Sequence, residues 1–349
     1  MKARRATIDL IYEGKIITKD IAGDLLEFTY TDNASGSADD VSITLKDETG
    51  KWISSWAPQK GDSIKPTIKT INWRHDGDSQ QMKCGSYLVD EVSYSGRPRI
   101  VTIGAVSTPA NTDFMNTCKS RTWDAASIKE IAQSIADDAG LTLYFESQEN
   151  PIVDFIEQSE TPDASFLFDQ CQKNGLSMKL YNNRIVIFNE AEYEKKESVA
   201  VICENKSLVS QSIKKPQIIL ISWNAEISFT ETGFDGCRVS YVDPDAGDLI
   251  DYTFRAPGRR GRKIYQLNEE VGSIAEAERR AKSKLRELNR NEFKISVSIP
   301  GNLDLVSSQT VDIEGLGVFD GKYHIDKIGR SLGGGFGCAL DLHHVLEGY

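Results

Sequence analysis

Short alternations of apolar and polar residues dominate both ends of the chain. Thr7 to Tyr12 alternates, and Gly14 turns the chain toward Ile16 and Ile17. Val41, Ile43 and Leu45 alternate with Ser42, Thr44 and Lys46, a half-buried strand ended by Asp47-Glu48-Thr49-Gly50. Pro58-Gln59-Lys60-Gly61-Asp62 opens a further strand from Ile64 to Trp73, and a last one lies near Ile100 to Ile103. Strands this short and this closely spaced predict a barrel or sandwich over residues 1–105.

The period then changes. Ser127-Ile128-Lys129-Glu130 is a capping box, and Ile128, Ile131, Ala132, Ile135 and Ala139 make a helical stripe closed by Gly140. A second helix follows Pro162-Asp163, with Phe166, Leu167, Gln170 and Cys171 at helical spacing, and ends at Gly175. Each helix leads into a Leu-initiated strand. Residues 106–150 and 151–197 therefore read as two small helix–strand modules, side by side.

From residue 198 to 349 the pattern returns to β, with strands expected around Ile218, Ile227, Val239, Tyr252, Phe293, Thr310, Tyr323 and Phe336. One long helix, at 273–290, interrupts them. Ser273 and Glu276 form its capping box, and Ile274, Ala277, Ala281, Leu285 and Leu288 form its stripe. Glu276 with Arg280, and Glu278 with Lys282, are set for i,i+4 ion pairs.

One phrase occurs twice. Gly85-Ser86-Tyr87-Leu88-Val89-Asp90-Glu91-Val92 and Gly321-Lys322-Tyr323-His324-Ile325-Asp326-Lys327-Ile328 both read G-x-Y-x-[VI]-D-x-[VI]. In the second copy, alternation would put Tyr323, Ile325 and Lys327 on one side and His324, Asp326 and Ile328 on the other. Coincidence between two hairpins and an internal duplication both fit. On duplication, like domains at the two ends flank the modules as an insertion, and Gly85, Tyr87, Asp90, Gly321, Tyr323 and Asp326 are equivalent positions.

At 349 residues with ordinary apolar content, the chain has room for two or three folded domains. No apolar run is long enough for a membrane span, and the N-terminus lacks the apolar core of a secretory signal. The six cysteines are scattered, which suits single buried thiols better than disulfides or a zinc site. A net charge of −11 disfavours general or sequence-specific nucleic-acid binding.

Few residues suggest chemistry. His343 and His344, adjacent in a strand, point to opposite faces and cannot easily share a metal; His75 and His324 have no partner motif. Asp243-Pro244-Asp245-Ala246-Gly247-Asp248 misplaces the ligands of a calcium loop and reads as a hairpin turn. The adjacent pairs Asp39-Asp40 and Asp137-Asp138 do not face one another as glycosidase acids must. Gly333-Gly334-Gly335 and Gly258-Arg259-Arg260-Gly261 fit no phosphate-binding pattern, and no cofactor is expected. The strongest charge feature is Arg255, Arg259, Arg260, Arg262 and Lys263, five cations in nine residues. It reads as a solvated loop, or as a contact with an acidic partner or with phosphates.

Four stretches together resemble a known family: Ile17 to Leu45, Trp52 to Trp73, the paired modules around Ser127–Leu141 and Asp163–Leu176, and the long helix followed by I-S-V-S-I-P-G-N-L-D-L and D-G-K-Y-H-I-D-K-I. In order they are similar to the late control gene D family, the central baseplate hub of contractile phage tails and of tailocin or defective-prophage particles. The resemblance implies an α+β fold in which two similar tube-type β-barrel domains flank small α/β modules. It implies a homotrimer that matches the six-fold tail tube to a three-fold spike, with tube protein, a separate spike protein, other baseplate proteins and the tape measure as partners. It implies assembly in the bacterial cytoplasm, a place in the virion baseplate, and no active site. A hub-associated peptidoglycan hydrolase and a carbohydrate- or receptor-binding β module are the other readings.

Overall fold

The computed structural model describes residues 3–107, 112–205, 207, 214–242 and 249–349. The fold is mostly β, arranged as two sheet units at the ends of the chain with two smaller units between and beside them.

The N-terminal unit holds β1 (Arg5–Tyr12), β2 (Lys15–Ile16), a helical turn α1 (Thr18–Ile21), β3 (Leu25–Asn33), β4 (Asp40–Lys46), β5 (Ser63–Ile71), β6 (Ser79–Lys83), β7 (Tyr87–Ser95) and β8 (Ile100–Val106). Its strands run antiparallel in the order β2-β1-β5-β7-β8-β4-β3, with β6 also on β5. The alternation seen in the sequence is the alternation of burial: Val41, Ile43 and Leu45 are inside, while Ser42 and Thr44 are not. They join Phe28, Tyr87 and Ile103 in one core.

The middle unit follows. It contains α2 (Thr112–Asn116), β9 (Cys118–Ser127), α3 (Ile128–Ala139), β10 (Thr142–Glu146), β11 (Ile152–Pro162), α4 (Asp163–Lys173), β12 (Ser177–Tyr181), β13 (Arg184–Phe188) and α5 (Glu190–Lys195). The capping box at Ser127 and Glu130 is present, and Gly140 takes the left-handed conformation with φ of 66°. The two expected modules are interlocked. β10 runs parallel to β13, β9 pairs with β11, and α3 and α4 share a single core. A ribbon as exposed as β9–β11 has little apolar alternation, so periodicity does not reveal it.

The last stretch builds two bodies. One is a sheet of β14 (Val201–Cys203), β15 (Gln217–Ile219), β16 (Ser222–Ile227) and, further on, four strands introduced below. The other is a separate sheet of β17 (Gly236–Val242), β18 (Leu249–Arg255) and β19 (Ile264–Leu267), covered by α6 (Ile274–Asn289). This second body has its own core around Cys237, Val239, Ala277, Ala281 and Leu285. The single domain expected over 198–349 is thus subdivided. The α6 stripe differs at both ends: Ile274 is 62% exposed, and Asn289 rather than the half-buried Leu288 is the last inward residue. Its amide accepts from Phe234 N at 2.8 Å and donates to Phe234 O at 2.9 Å, so a polar side chain can close the stripe. Ser273 caps Glu276 N, but Glu276 reaches back to Gly272 N, one residue before the box position.

The sheet resumes with β20 (Phe293–Pro300), β21 (Thr310–Glu314), β22 (Gly321–Leu332) and β23 (Phe336–His344). Its order is β16-β20-β23-β22-β21-β14-β15, and its core includes Ile295, Val297, Tyr323, Ile325 and Leu340. The two end units do not stay apart. The second half of β22 pairs antiparallel with β3, from Lys327 opposite Asn33 to Leu332 opposite Phe28. That joint fuses both units into one 15-stranded sheet.

Candidate assembly interface

The two copies of the repeated phrase have the same local geometry. Gly85 and Gly321 have positive φ, +117° and +152°. A side chain at Gly321 would meet His344 Nε2 at 2.8 Å, so a substitution would have to displace that ring as well as adopt the positive φ. Tyr87 and Tyr323 are buried, 1% and 0% exposed. Tyr87 lies opposite Ile64 on β5, and Tyr323 lies opposite Val311 on β21. Each strand then carries a β-bulge at its aspartate: the register shifts between Val89 and Glu91, and between Ile325 and Lys327. Past the bulges Val92 faces Ile103, and Ile328 faces Leu340.

The bulge overturns strict alternation in this strand. The extra residue at Asp326 shifts the phase, so Tyr323, Ile325 and Ile328 all reach the core. Around each copy the order of neighbours also corresponds: β5-β7-β8-β4-β3 in one unit, β21-β22-β23-β20-β16 in the other. Counting across opposed pairs, Phe28 reaches Val92 through Ile43 and Ile103. Trp223 reaches Ile328 through Val297 and Leu340 in the same number of steps.

The joint between the units is well buried. Arg330, 1% exposed, lies opposite Tyr30, with its guanidinium 5.4 Å from that ring. It donates to the carbonyls of Asn302, at 3.2 Å, and Leu305. Leu332 and Phe336 enter the N-terminal core, and Trp73 Nε1 donates to Gly301 O at 2.6 Å.

Two clusters of buried charge tie the middle unit to this frame. In the first, Lys179 on β12 reaches Asp32 at 2.7 Å and Asp39 at 3.0 Å, while Ser307 donates to Asp32 through both N and Oγ. Burial pushes the Asp39 carboxyl up to about 6; Lys179 opposes this and Asp32 adds to it. A cleft of about 340 Å³ opens beside Lys179, Tyr181 and Ser307. In the second, His343 Nδ1 lies 2.7 Å from Asp326 and its Nε2 lies 2.9 Å from Glu194. Arg286 pairs with Glu194, and Arg290 with Glu190 and Asp326. Burial opposes a charge on His343, but Asp326 and the two hydrogen bonds outweigh it and raise its pKa to about 9.

His324, Asp326 and His343, and likewise Glu190, Glu194 and His343, lie within 4.8 Å of one another, close enough to ligate a cation. Arg286 and Arg290 already pair with the carboxylates, so the cluster reads as an ion-pair network, with His324 Nε2 and Arg286 Nη1 left without hydrogen-bond partners. The sequence reading of isolated histidines missed it, because its partners come from α5, α6 and two strands. His343 and His344 do face different surroundings, one fully buried and one half-buried.

The basic run divides in two. Arg259 pairs with Glu292, and Lys263 Nζ donates to the carbonyls of Phe229, Thr230 and Thr232. Arg255, Arg260 and Arg262 are exposed. So the segment is anchored at two of its cations rather than solvated throughout. Asp243 to Asp248 lies outside the described residues. Asp138 pairs with Arg121 at 2.6 Å and Asp137 accepts from Gln133 at 2.7 Å, so that acidic pair has structural partners. All six cysteines are free thiols, with only Cys118 exposed.

About half of the chain aligns with known phage proteins. Over 174 residues it is 30% identical to the probable baseplate hub protein of Escherichia phage 186, covering 49% of this chain and 41% of that protein. Over 170 residues it is 31% identical to the probable baseplate hub protein of Escherichia phage P2, covering 48% and 41%. This chain is similar to phage baseplate hub proteins. The match spans about two fifths of the length of these curated relatives, 41% in each case. No protein-family model matches the chain. The fold carries the likeness further. The 43 kDa tail protein of prophage MuSo2 from Shewanella oneidensis superposes with a TM-score of 0.71 over 98% of this chain and 99% of that one, at 14% identity. At that identity the likeness is one of fold.

Proposed function

We propose that this chain is a structural baseplate hub at the tip of a contractile tail. The carrying observation is the coincidence of two likenesses: to probable baseplate hub proteins over about half of the chain, and to a prophage tail protein over nearly all of its fold. On this reading the two end units are duplicated tube-type barrels, and three copies present six such units to a six-fold tail tube and a three-fold face to a separate spike protein. The matched neighbour order and bulge positions around Tyr87 and Tyr323 support the duplication. The protein works through repeated geometry and carries out no reaction. Its place is the baseplate of the finished particle, after assembly in the bacterial cytoplasm beside other baseplate proteins.

The acids with shifted titration support a structural role, since Asp39, Glu194 and Asp326 are held in the clusters that join units. Native mass and electron microscopy test the reading, with and without tail tube protein. A trimer, or a ring of three-fold outline bound to tube ends, is expected. A strict monomer at high concentration that ignores tube protein would count against the hub, and clearing of a cell-wall suspension would favour the hydrolase.

A further inference from the structure

The joint between β3 and β22 has two unused counterparts on the same chain. In the neighbour order, β16 stands where β3 stands, and β7 stands where β22 stands. β3 is paired on both edges, with β4 and β22; β16 pairs only with β20 among the described residues. β22 is paired along its second half, whereas β7 beyond Val89 pairs only with β8 among the described residues. The exposures follow. Phe28 and Arg330 are buried at the joint, while their counterparts Trp223 and Tyr94 are 40% and 43% exposed. Beside Trp223, Ile219 and Ile221 are also exposed, at 44% and 67%. An unpaired edge with an apolar border is a template for strand addition.

We infer that β16 of one copy pairs antiparallel with the second half of β7 of the next copy, in the register of the β3–β22 joint. This rests on the hub reading and names its self-contact. The correspondences set the register residue by residue. Phe28 opposite Leu332 becomes Trp223 opposite Gly96, and Thr29 opposite Ser331 becomes Asn224 opposite Ser95. Tyr30 opposite Arg330 becomes Ala225 opposite Tyr94, small against large where the internal joint has two large groups. Thr31 opposite Gly329 becomes Glu226 opposite Ser93, and Asp32 opposite Ile328 becomes Ile227 opposite Val92. In this register Glu226 and Glu91 both face serines. A slip by two residues in one direction would set them opposite each other, two like charges.

The contact is head-to-tail, because the β16 edge and the β7 edge are different surfaces. Such a contact closes into a ring when the rotation per unit divides the circle, and otherwise runs on as a filament. Within one chain the rotation from one unit to the next is already fixed by the β3–β22 joint. Repeating it between chains makes internal and external joints equivalent, which is what a ring of alternating like units needs. The external joint lacks Arg330 and Leu332, having Tyr94 and Gly96 in their places, so it buries less and forms after the chain has folded.

Disulfide trapping in the full-length chain tests the register. Asn224→Cys with Ser95→Cys is introduced into a Cys118→Ser background, so that no native thiol is exposed. Both sites are exposed, so each single variant should keep the parent fold. Mild oxidation is expected to give a ladder of covalent multimers that ends at three chains. Asn224→Cys with Tyr94→Cys, one residue off and therefore on opposite faces, should give at least tenfold less product. If sedimentation shows association but the two pairs cross-link equally, the strand joint is wrong while the hub reading stands. If the chain stays monomeric and no ladder forms, the joint is again overturned. The hub reading is then decided separately by whether the protein binds tail tube ends.

Discussion

Asp90 and Asp326 are the extra residues of two matching β-bulges, each five positions after a glycine with positive φ and one after a buried Val or Ile. The shared geometry has diverged in use. Asp90 is exposed, whereas Asp326 is drawn into the network with His324, His343 and Arg290.

The buried tyrosines of the two copies should respond differently to loss of the hydroxyl. Tyr87 Oη donates to Cys84 O at 2.6 Å, while Tyr323 Oη is buried without a hydrogen-bond partner. Tyr87→Phe is expected to cost about 1 kcal/mol, and Tyr323→Phe to be neutral or stabilising. Truncation of either to Ala should cost about 3–5 kcal/mol, because each fills a core. Urea denaturation of the four variants checks this; equal effects of the two Phe changes would refute it.

His343 should give the protein an alkaline limit. Its folded pKa of about 9 lies above the ordinary 6.5, so its contribution is complete below pH 6.5 and fades as pH rises through 9. Glu194 works in the opposite direction: held at about 2 against 4.5, it contributes above pH 4.5 and loses that contribution as pH falls toward 2. His343→Gln should lower stability at neutral pH by about 3–5 kcal/mol, since it strands buried carboxylates. It should also flatten the decline between pH 7 and 10. Melting temperatures across that range decide it, and parallel slopes for parent and variant would rule out this role for His343.

Much of this frame was legible in the sequence, and the limits have physical causes. Strands with one wet face announce themselves, as Val41 to Leu45 does, because burial alternates with period two. The capping box at Ser127 and Glu130 is equally local. The joint of β3 to β22 was invisible, since its opposed residues are some 300 positions apart and either strand reads the same without it. The Asp326 bulge was hidden because one extra residue shifts the phase without changing composition. The ionic clusters were missed for a related reason: Lys179, Asp32 and Ser307 carry no shared spacing, and only the fold brings them together.

Lys179 is the clearest test of how the middle unit is attached. Its ammonium sits between Asp32 and Asp39, both nearly or fully inaccessible to solvent. Lys179→Met would leave two buried carboxylates without a counter-charge, at a cost of about 3–5 kcal/mol. Asp39 already titrates at about 6 with the lysine present, and losing that cation can only raise it. The defect should therefore shrink as pH falls from 7 to 5, when Asp39 takes up a proton. Denaturation at both pH values measures this; a deficit of the same size at each would show that the lysine acts through packing alone.

The basic segment should separate into two kinds of cation. Arg259 is salt-bridged to Glu292, whose side chain is only 10% exposed, and Lys263 gathers three backbone carbonyls while lying 4.3 Å from the Phe234 ring. Arg259→Ala strands the shielded Glu292 carboxylate and should cost about 1–3 kcal/mol, whereas Lys263→Ala deprives the buried Thr232 carbonyl and two exposed ones and should cost about 1 kcal/mol. Arg260 and Arg262 are exposed, and Arg260→Ala with Arg262→Ala should leave stability within about 0.5 kcal/mol of the parent. If the exposed pair meets an acidic partner in the particle, the double variant should weaken that contact and reduce its dependence on salt. Thermal denaturation reads the first effect, and co-sedimentation with tail particles at two salt concentrations reads the second. Unchanged co-sedimentation at both would assign these two arginines to solvent alone.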